Sequence, residues 1–300
     1  MMTTQSDALT IAPTIAPTSA LAARLLTHPL IRWLLGTLAV VLPVAVIMAL
    51  AHQIPDKALR QAWPQLLAAG ACMAAYRWYV TRIERRAPAE LGLAGAGREL
   101  ATGAALGAGM LLATVALVAL SGAYHVDGFN PWTVVLHVLP EMVLVALFEE
   151  LLFRAVLLRI LEQALGSRIA LALMALLFAA AHLPNAAISL IPLAATVLAG
   201  LVLGLAYMWT RRIWMAVGFH FAWNYLMDVV FSVPVSGQPA HGWLQGRLNG
   251  PDWLSGGAYG IEGSLLTLLL YAALSAVMAG VLLRRGAFRA RARKLVLAAA

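Results

Sequence analysis

Two adjacent carboxylates and an arginine, Glu149-Glu150-Leu151-Leu152-Phe153-Arg154, interrupt an apolar run from Trp132 to Leu161. Ionisable side chains in a segment long enough to cross a bilayer persist by pairing or by lining a protein or water cavity, so they mark a candidate site. At about 100° per residue, Arg154 falls roughly 40° from Glu150 and about 140° from Glu149. The i,i+4 pair Glu150/Arg154 can therefore neutralise itself, while Glu149 is left without a local partner. Two further polar constellations lie in apolar runs: Phe178-Ala179-Ala180-Ala181-His182 and His220-Phe221-Ala222-Trp223-Asn224. In each, i,i+4 spacing puts two groups on one face. Glu149, Glu150 and His182 are residue types fit for a proton relay.

These residues need elements to hold them at one place. Hydrophobic residues make up 62% of the 300, charged residues 11%, and mean hydropathy is +0.84, against roughly 45–50% and about 25% in soluble domains. The expectation is an all-α, polytopic bundle of about eight membrane-spanning helices. The apolar segments fall near 31–52, 62–80, 99–121, 132–158, 168–184, 187–208, 213–231 and 264–283. One helical membrane domain over 26–285 follows a Thr-, Ser-, Ala- and Pro-rich stretch at 1–25, expected to be a disordered cytoplasmic tail. Residues 286–300 form a second, basic cytoplasmic tail. The site segments are those at 132–158, 168–184 and 213–231.

The net charge of +8 sits in short clusters between apolar runs, a placement that encodes topology rather than nucleic-acid binding. Alternate flanks carry sixteen Lys and Arg against three, Lys57, Arg60 and Arg247. By the positive-inside rule both termini are cytoplasmic. The single cysteine, Cys72, excludes an intrachain disulfide and any multi-cysteine metal site, and is expected to be a small core residue. Gly103, Gly107 and Gly109 are expected at close helix contacts. His137 and Glu141 are expected to pair with each other at i,i+4, and the connection Ser232 to Gly263 to act as a plain connector.

Spacing brings the constellations to one height. In a hairpin turning at Gly166, Glu149 lies 17 residues before the turn and His182 lies 16 after it. Measured from Arg159, Glu149 is about 15 Å in, and from Arg212 His220 is about 12 Å in. The expected meeting point is the cytoplasmic half of the bilayer or near its middle.

These motifs resemble the CPBP intramembrane proteases, a family that includes the CAAX prenyl endopeptidases and the bacterial Abi and bacteriocin-immunity proteins. The family pattern is a double glutamate with arginine four positions after the second, then Phe-x-x-x-His, then His-x-x-x-Asn. All three occur here in order, on separate segments. The resemblance implies peptide hydrolysis within the membrane. Glu149 would act as general base on a water also held by His182, with His220 and Asn224 as oxyanion donors. Glu150, Arg154 and Phe178 would be supporting residues. It further implies a membrane-associated protein or lipidated peptide as substrate, the bilayer as partner, and a cell membrane, expected to be a bacterial inner membrane. No cofactor is required in this reading, because no H-E-x-x-H helix is present and Asn224 suits an oxyanion better than zinc; the zinc set His182, His220 and Glu149 stays open beside it. Two other functions compete: a noncatalytic immunity or binding protein using the same polar core, and a proton-coupled transporter.

Overall fold

The computed structural model describes residues 26–61, 63–240 and 242–291. The expected tail at 1–25 and the basic tail beyond 291 lie outside the described residues. The fold is an all-α bundle. Each of the eight apolar segments contains a helix: α1 (Pro29–Ala51), α2 (Trp63–Trp78), α3 (Ala96–Leu120), α4 (Val134–Glu150) with its continuation α5 (Arg159–Leu165), α6 (Ser167–Ala181), α7 (Leu190–Thr210), α8 (Trp214–Tyr225) and α9 (Leu265–Arg284). Four of these, α1, α3, α7 and α9, are single helices long and apolar enough to cross a membrane.

The others are shorter or change winding. Tyr79–Ile83, Leu151–Leu158 and Leu226–Val230 are π-helical and extend α2, α4 and α8. Such segments are uncommon and gather at functional sites. Two of the three here lie at a candidate motif: Leu151–Leu158 begins after Glu150 and contains Arg154, and Leu226–Val230 begins two residues after Asn224. Helix starts follow local chemistry. Proline occupies the first turn of α1, where its missing N–H costs nothing, and the Ser264 side chain accepts from the Thr267 N–H at 3.2 Å to cap α9.

The α5–α6 hairpin turns at Gly166, whose φ of 81° suits glycine. Helices α3 and α8 approach closely because Gly103 and Gly107 leave no Cβ: one added there would strike the backbone carbonyls of Met215 and Phe219. Gly218 makes the reciprocal contact with Leu100 on α3. Gly109 departs from expectation, since a Cβ there would meet nothing within 4 Å. Cys72 is fully buried, as expected.

Ion pairs gather at the arginine-rich end. Glu84 receives Arg32, Arg86 and Arg159 at 2.9, 2.7 and 2.9 Å. Burial pushes the Glu84 carboxyl up, but Arg159, Arg86 and Arg32 outweigh it and hold the group at about 2. Glu162 pairs with Arg211 at 2.5 Å, and Glu99 pairs with Arg212.

The opposite end departs from a plain connector. A two-stranded antiparallel sheet forms between β1 (Tyr124–Phe129) and β2 (Leu244–Leu248). The rest of the connection folds back over the bundle, with Gly237 N–H donating to the Tyr259 carbonyl at 2.9 Å. The Tyr259 hydroxyl lies 3.1 Å from Thr196 on α7.

Candidate active site

Glu150 and Arg154 are both fully buried and pair at 2.9 Å, as the helical wheel requires. Two buried charges need further hydrogen bonds to offset their lost hydration. Arg154 obtains one from its Nη2 to the Gly200 carbonyl at 3.3 Å on α7. It also lies over the Phe178 ring, 4.7 Å from the centroid, a favourable cation–π position. Phe178 packs edge-on against Phe153 at 5.0 Å. The first residue of the Phe-x-x-x-His motif therefore shelters the guanidinium.

Glu150 has a second partner that the wheel did not reveal. His220 Nδ1 lies 2.9 Å from Glu150 Oε1. A carboxylate accepts, so Nδ1 donates and Nε2 turns toward Glu149, 3.9 Å from its Oε2. That separation is too long for a hydrogen bond, and Glu149 Oε2 has no hydrogen-bond partner among the described residues. The His182 ring lies 4.7 Å from the Phe178 ring, and its Nδ1 donates to the Phe178 carbonyl at 2.8 Å, which fixes the tautomer and leaves Nε2 free of it.

The structure brings the four candidates into one cavity of about 640 Å³, lined by Glu149, His182, His220 and Asn224 together with Phe178. Glu150 and Arg154 stand behind its wall. No group of three His, Cys, Asp or Glu side chains among the described residues has an arrangement suited to a metal ion.

The cavity extends further from the arginine-rich end than spacing suggested. His182 follows the last residue of α6, at the end far from Gly166. Asn185, Asp228, Ser236, Gln238 and Glu262 continue the lining beyond it. The site therefore runs from the middle of the bundle toward the end that carries the Ser232 to Gly263 connection, not into the arginine-rich half.

Sequence reasoning passed over Glu262. Its Oε1 accepts from Ser236 Oγ at 2.9 Å and from the Ser236 N–H, and its Oε2 accepts from Trp223 Nε1 at 3.2 Å. Burial pushes this carboxyl above its usual range, against the pull of the Trp223 and Ser236 donors. Trp223 sits between His220 and Asn224 on α8, so Glu262 ties the covering segment to the helix that carries both residues. The one sequence signal was its position as the last carboxylate in the chain, three residues before an apolar helix. Glu141 differs from the expected pairing with His137. No hydrogen bond or ion pair joins the two among the described residues, and Glu141 lines the cavity instead.

Neither the curated proteins nor the solved structures yield a match to the chain. Residues 130–226 match the family model described as Type II CAAX prenyl endopeptidase Rce1-like. That stretch contains all three motifs and supports intramembrane endopeptidase activity in general. Over residues 130–226 the chain is similar to Rce1-like, CAAX-type protease domains, a likeness consistent with the CPBP family of intramembrane proteases.

Proposed function

We propose that the protein hydrolyses a peptide bond of a membrane-associated, lipidated or unlipidated substrate, with water as nucleophile and no metal. The observation that carries this reading is Glu149 Oε2, unpartnered and facing His220 Nε2 in the cavity shared with His182 and Asn224. Glu149 takes a proton from a water also held by His182 Nε2, and the hydroxide attacks the peptide carbonyl carbon. Asn224 donates its amide N–H to the resulting oxyanion, and its side chain has no hydrogen bond among the described residues to give up first. His220 donates from Nε2. Since Nδ1 is committed to Glu150, that donation takes the doubly protonated ring, whose charge the two carboxylates flank. Collapse breaks the C–N bond, and the leaving amine receives the proton from Glu149.

Both termini are read as cytoplasmic from the arginine asymmetry, which places the Ser232 to Gly263 cover and the cavity's far end outside. Single cysteines at Arg85, Ala240 and Ala290 in a Cys72→Ala background test this. Labelling of position 240 from the cytoplasmic side alone would reverse it. The activity itself is tested with purified protein in liposomes and a fluorogenic membrane peptide. Cleavage abolished by Glu149→Gln in a folded protein is expected; full cleavage by that variant would remove Glu149 as base.

A further inference from the structure

A separate cavity of about 420 Å³ lies at the arginine-rich end, lined by Arg32, Glu84, Arg85, Arg86 and Gln163. It shares no lining residue with the active-site cavity. Three elements build it. Arg32 comes from the first turn of α1, Gln163 from α5, and Glu84 to Arg86 from the turn that ends the π-helical extension of α2.

Its charge is unbalanced and its donors are not all used. Glu84 is the one carboxylate among the described lining residues, and Arg32, Arg86 and Arg159 already donate to it. Arg86 commits Nε to Glu84, Nη1 to Glu90 and the Ala87 carbonyl, and Nη2 to Glu90 and Tyr76. It adds charge but no free donor. Arg32 keeps a second hydrogen on each Nη, because its contacts to Gln163 and Glu84 use one apiece. Gln163 accepts from Arg32 through Oε1, and its Nε2 donates to nothing among the described residues. Arg85 is exposed and makes no hydrogen bond or ion pair among the described residues, so its whole fork is open. Its backbone is costly for an arginine. The φ of 55° is left-handed, and the residue follows the Glu84 C-cap, the position that glycine usually fills. Strain at such a residue is a sign that its side chain has a function.

The surroundings place the cavity at the depth of lipid headgroups. Helix α1 is long and apolar enough to cross a membrane, and its Leu30, Leu34 and Leu38, each about half exposed, recur every four residues on one face. Arg32 sits at the end of that apolar stripe, and Trp78, exposed at the end of α2, is the residue type that marks a membrane boundary. We propose that this cavity binds a phosphate group, held by Arg85, the spare hydrogens of Arg32 and the Gln163 amide, with Arg86 adding charge. Guanidinium forks match phosphate oxygens in pairs. The phosphate belongs either to an anionic lipid headgroup, which basic pockets between membrane helices accept, or to a free ion. Bound there, it joins α1, the end of α2 and α5, the continuation of the helix that carries Glu149. This site stands apart from the peptidase reading.

The test follows the melting temperature of the full chain in neutral detergent, titrated at constant ionic strength with dioctanoyl phosphatidic acid, dioctanoyl phosphatidylcholine or inorganic phosphate. A ligand of the folded chain raises the melting temperature with concentration, which gives an apparent Kd. Phosphatidylcholine, whose choline offsets the phosphate charge, should give no saturable shift. Saturation at lower concentration by phosphatidic acid assigns the lipid, and saturation at equal or lower concentration by inorganic phosphate assigns the free ion. Arg85→Gln should weaken the apparent Kd about tenfold, the size of a lost hydrogen bond to a charged group. Arg85→Gly, which suits the left-handed backbone, should weaken it as much without lowering the unliganded melting temperature. Arg82→Gln removes an exposed arginine that does not line the cavity and should leave the Kd unchanged. Four results would each overturn the site: no saturable shift with either phosphate probe, an equal shift with phosphatidylcholine, an unchanged Kd in Arg85→Gln, or equal weakening by Arg82→Gln.

Discussion

His220 Nδ1 lies 2.9 Å from Glu150 Oε1, the same oxygen that pairs with Arg154 at 2.9 Å. One buried carboxylate thus anchors both a guanidinium on its own helix and the imidazole of α8. Glu150 sets the direction of His220, while Glu149 stays free for the cavity.

The two acids should therefore separate in mutants. Glu149→Gln is expected to keep the melting temperature near wild type and lower kcat by about 10²–10⁴, the range for loss of a general base. Glu150→Gln leaves Arg154 as a buried charge without its counterion, which costs about 3–5 kcal/mol, and it also disturbs His220. Thermal unfolding in detergent beside turnover checks both; an unshifted melting temperature in Glu150→Gln would contradict the pairing.

The oxyanion assignment predicts a split between rate and binding. Asn224→Ala should lower kcat by about 10²–10³ with KM little changed, as in other oxyanion sites that lose one donor. Elemental analysis of the active wild type checks the metal. About one zinc per chain, lost together with activity in both His182→Ala and His220→Ala, would replace the water mechanism with a metal one.

Glu262 should hold the cover in place. Glu262→Ala strips the acceptors from Trp223 Nε1 and from the Ser236 N–H and hydroxyl, at about 1–3 kcal/mol for each donor left buried and unpaired. Ser236→Ala removes only the hydroxyl and should cost less. Limited proteolysis within 232–263 reads the effect, and equal resistance in Glu262→Ala and wild type would count against the latch.

Glycine substitutions on α3 should divide by face. Gly107→Ala drives a methyl group into the Phe219 carbonyl and must push α8 away, so both yield and activity should fall, since α8 carries His220 and Asn224. Gly109→Ala meets nothing within 4 Å and should stabilise by up to about 1 kcal/mol through helix propensity. Melting temperatures of the two variants decide this.

Acid should weaken the arginine-rich end through Glu84. Its carboxyl is lowered from 4.5 to about 2 in the folded protein. A depressed folded value means the stabilisation is fully present above the unfolded value and is lost as pH falls from about 4.5 toward 2. Glu84→Gln should flatten that part of the stability profile; an unchanged profile would show that the arginines do not act through Glu84.

The helical bundle and the pairing of Glu150 with Arg154 were legible in the sequence, because apolar length and i,i+4 spacing act within one helix. The turn at Gly166 and the contacts of Gly103 and Gly107 on α3 followed for the same reason, local backbone geometry and the absence of a Cβ. Other features needed the folded chain. The hydrogen bond from His220 to Glu150 joins residues 70 apart in sequence, and no periodicity on either helix encodes it. Glu262 reads as an isolated acid in a Gly- and Pro-rich connection, and only the return of that segment over the bundle gives it Trp223 and Ser236. The π-helical stretches after Glu150 and Tyr225 carry no sequence signal that hydrophobic spacing detects, since one inserted residue per turn is decided by packing against neighbouring helices. Spacing along single helices fixed which residues could meet; the packing of α4, α6 and α8 decided which atoms face one another and at which end of the bundle the cavity lies.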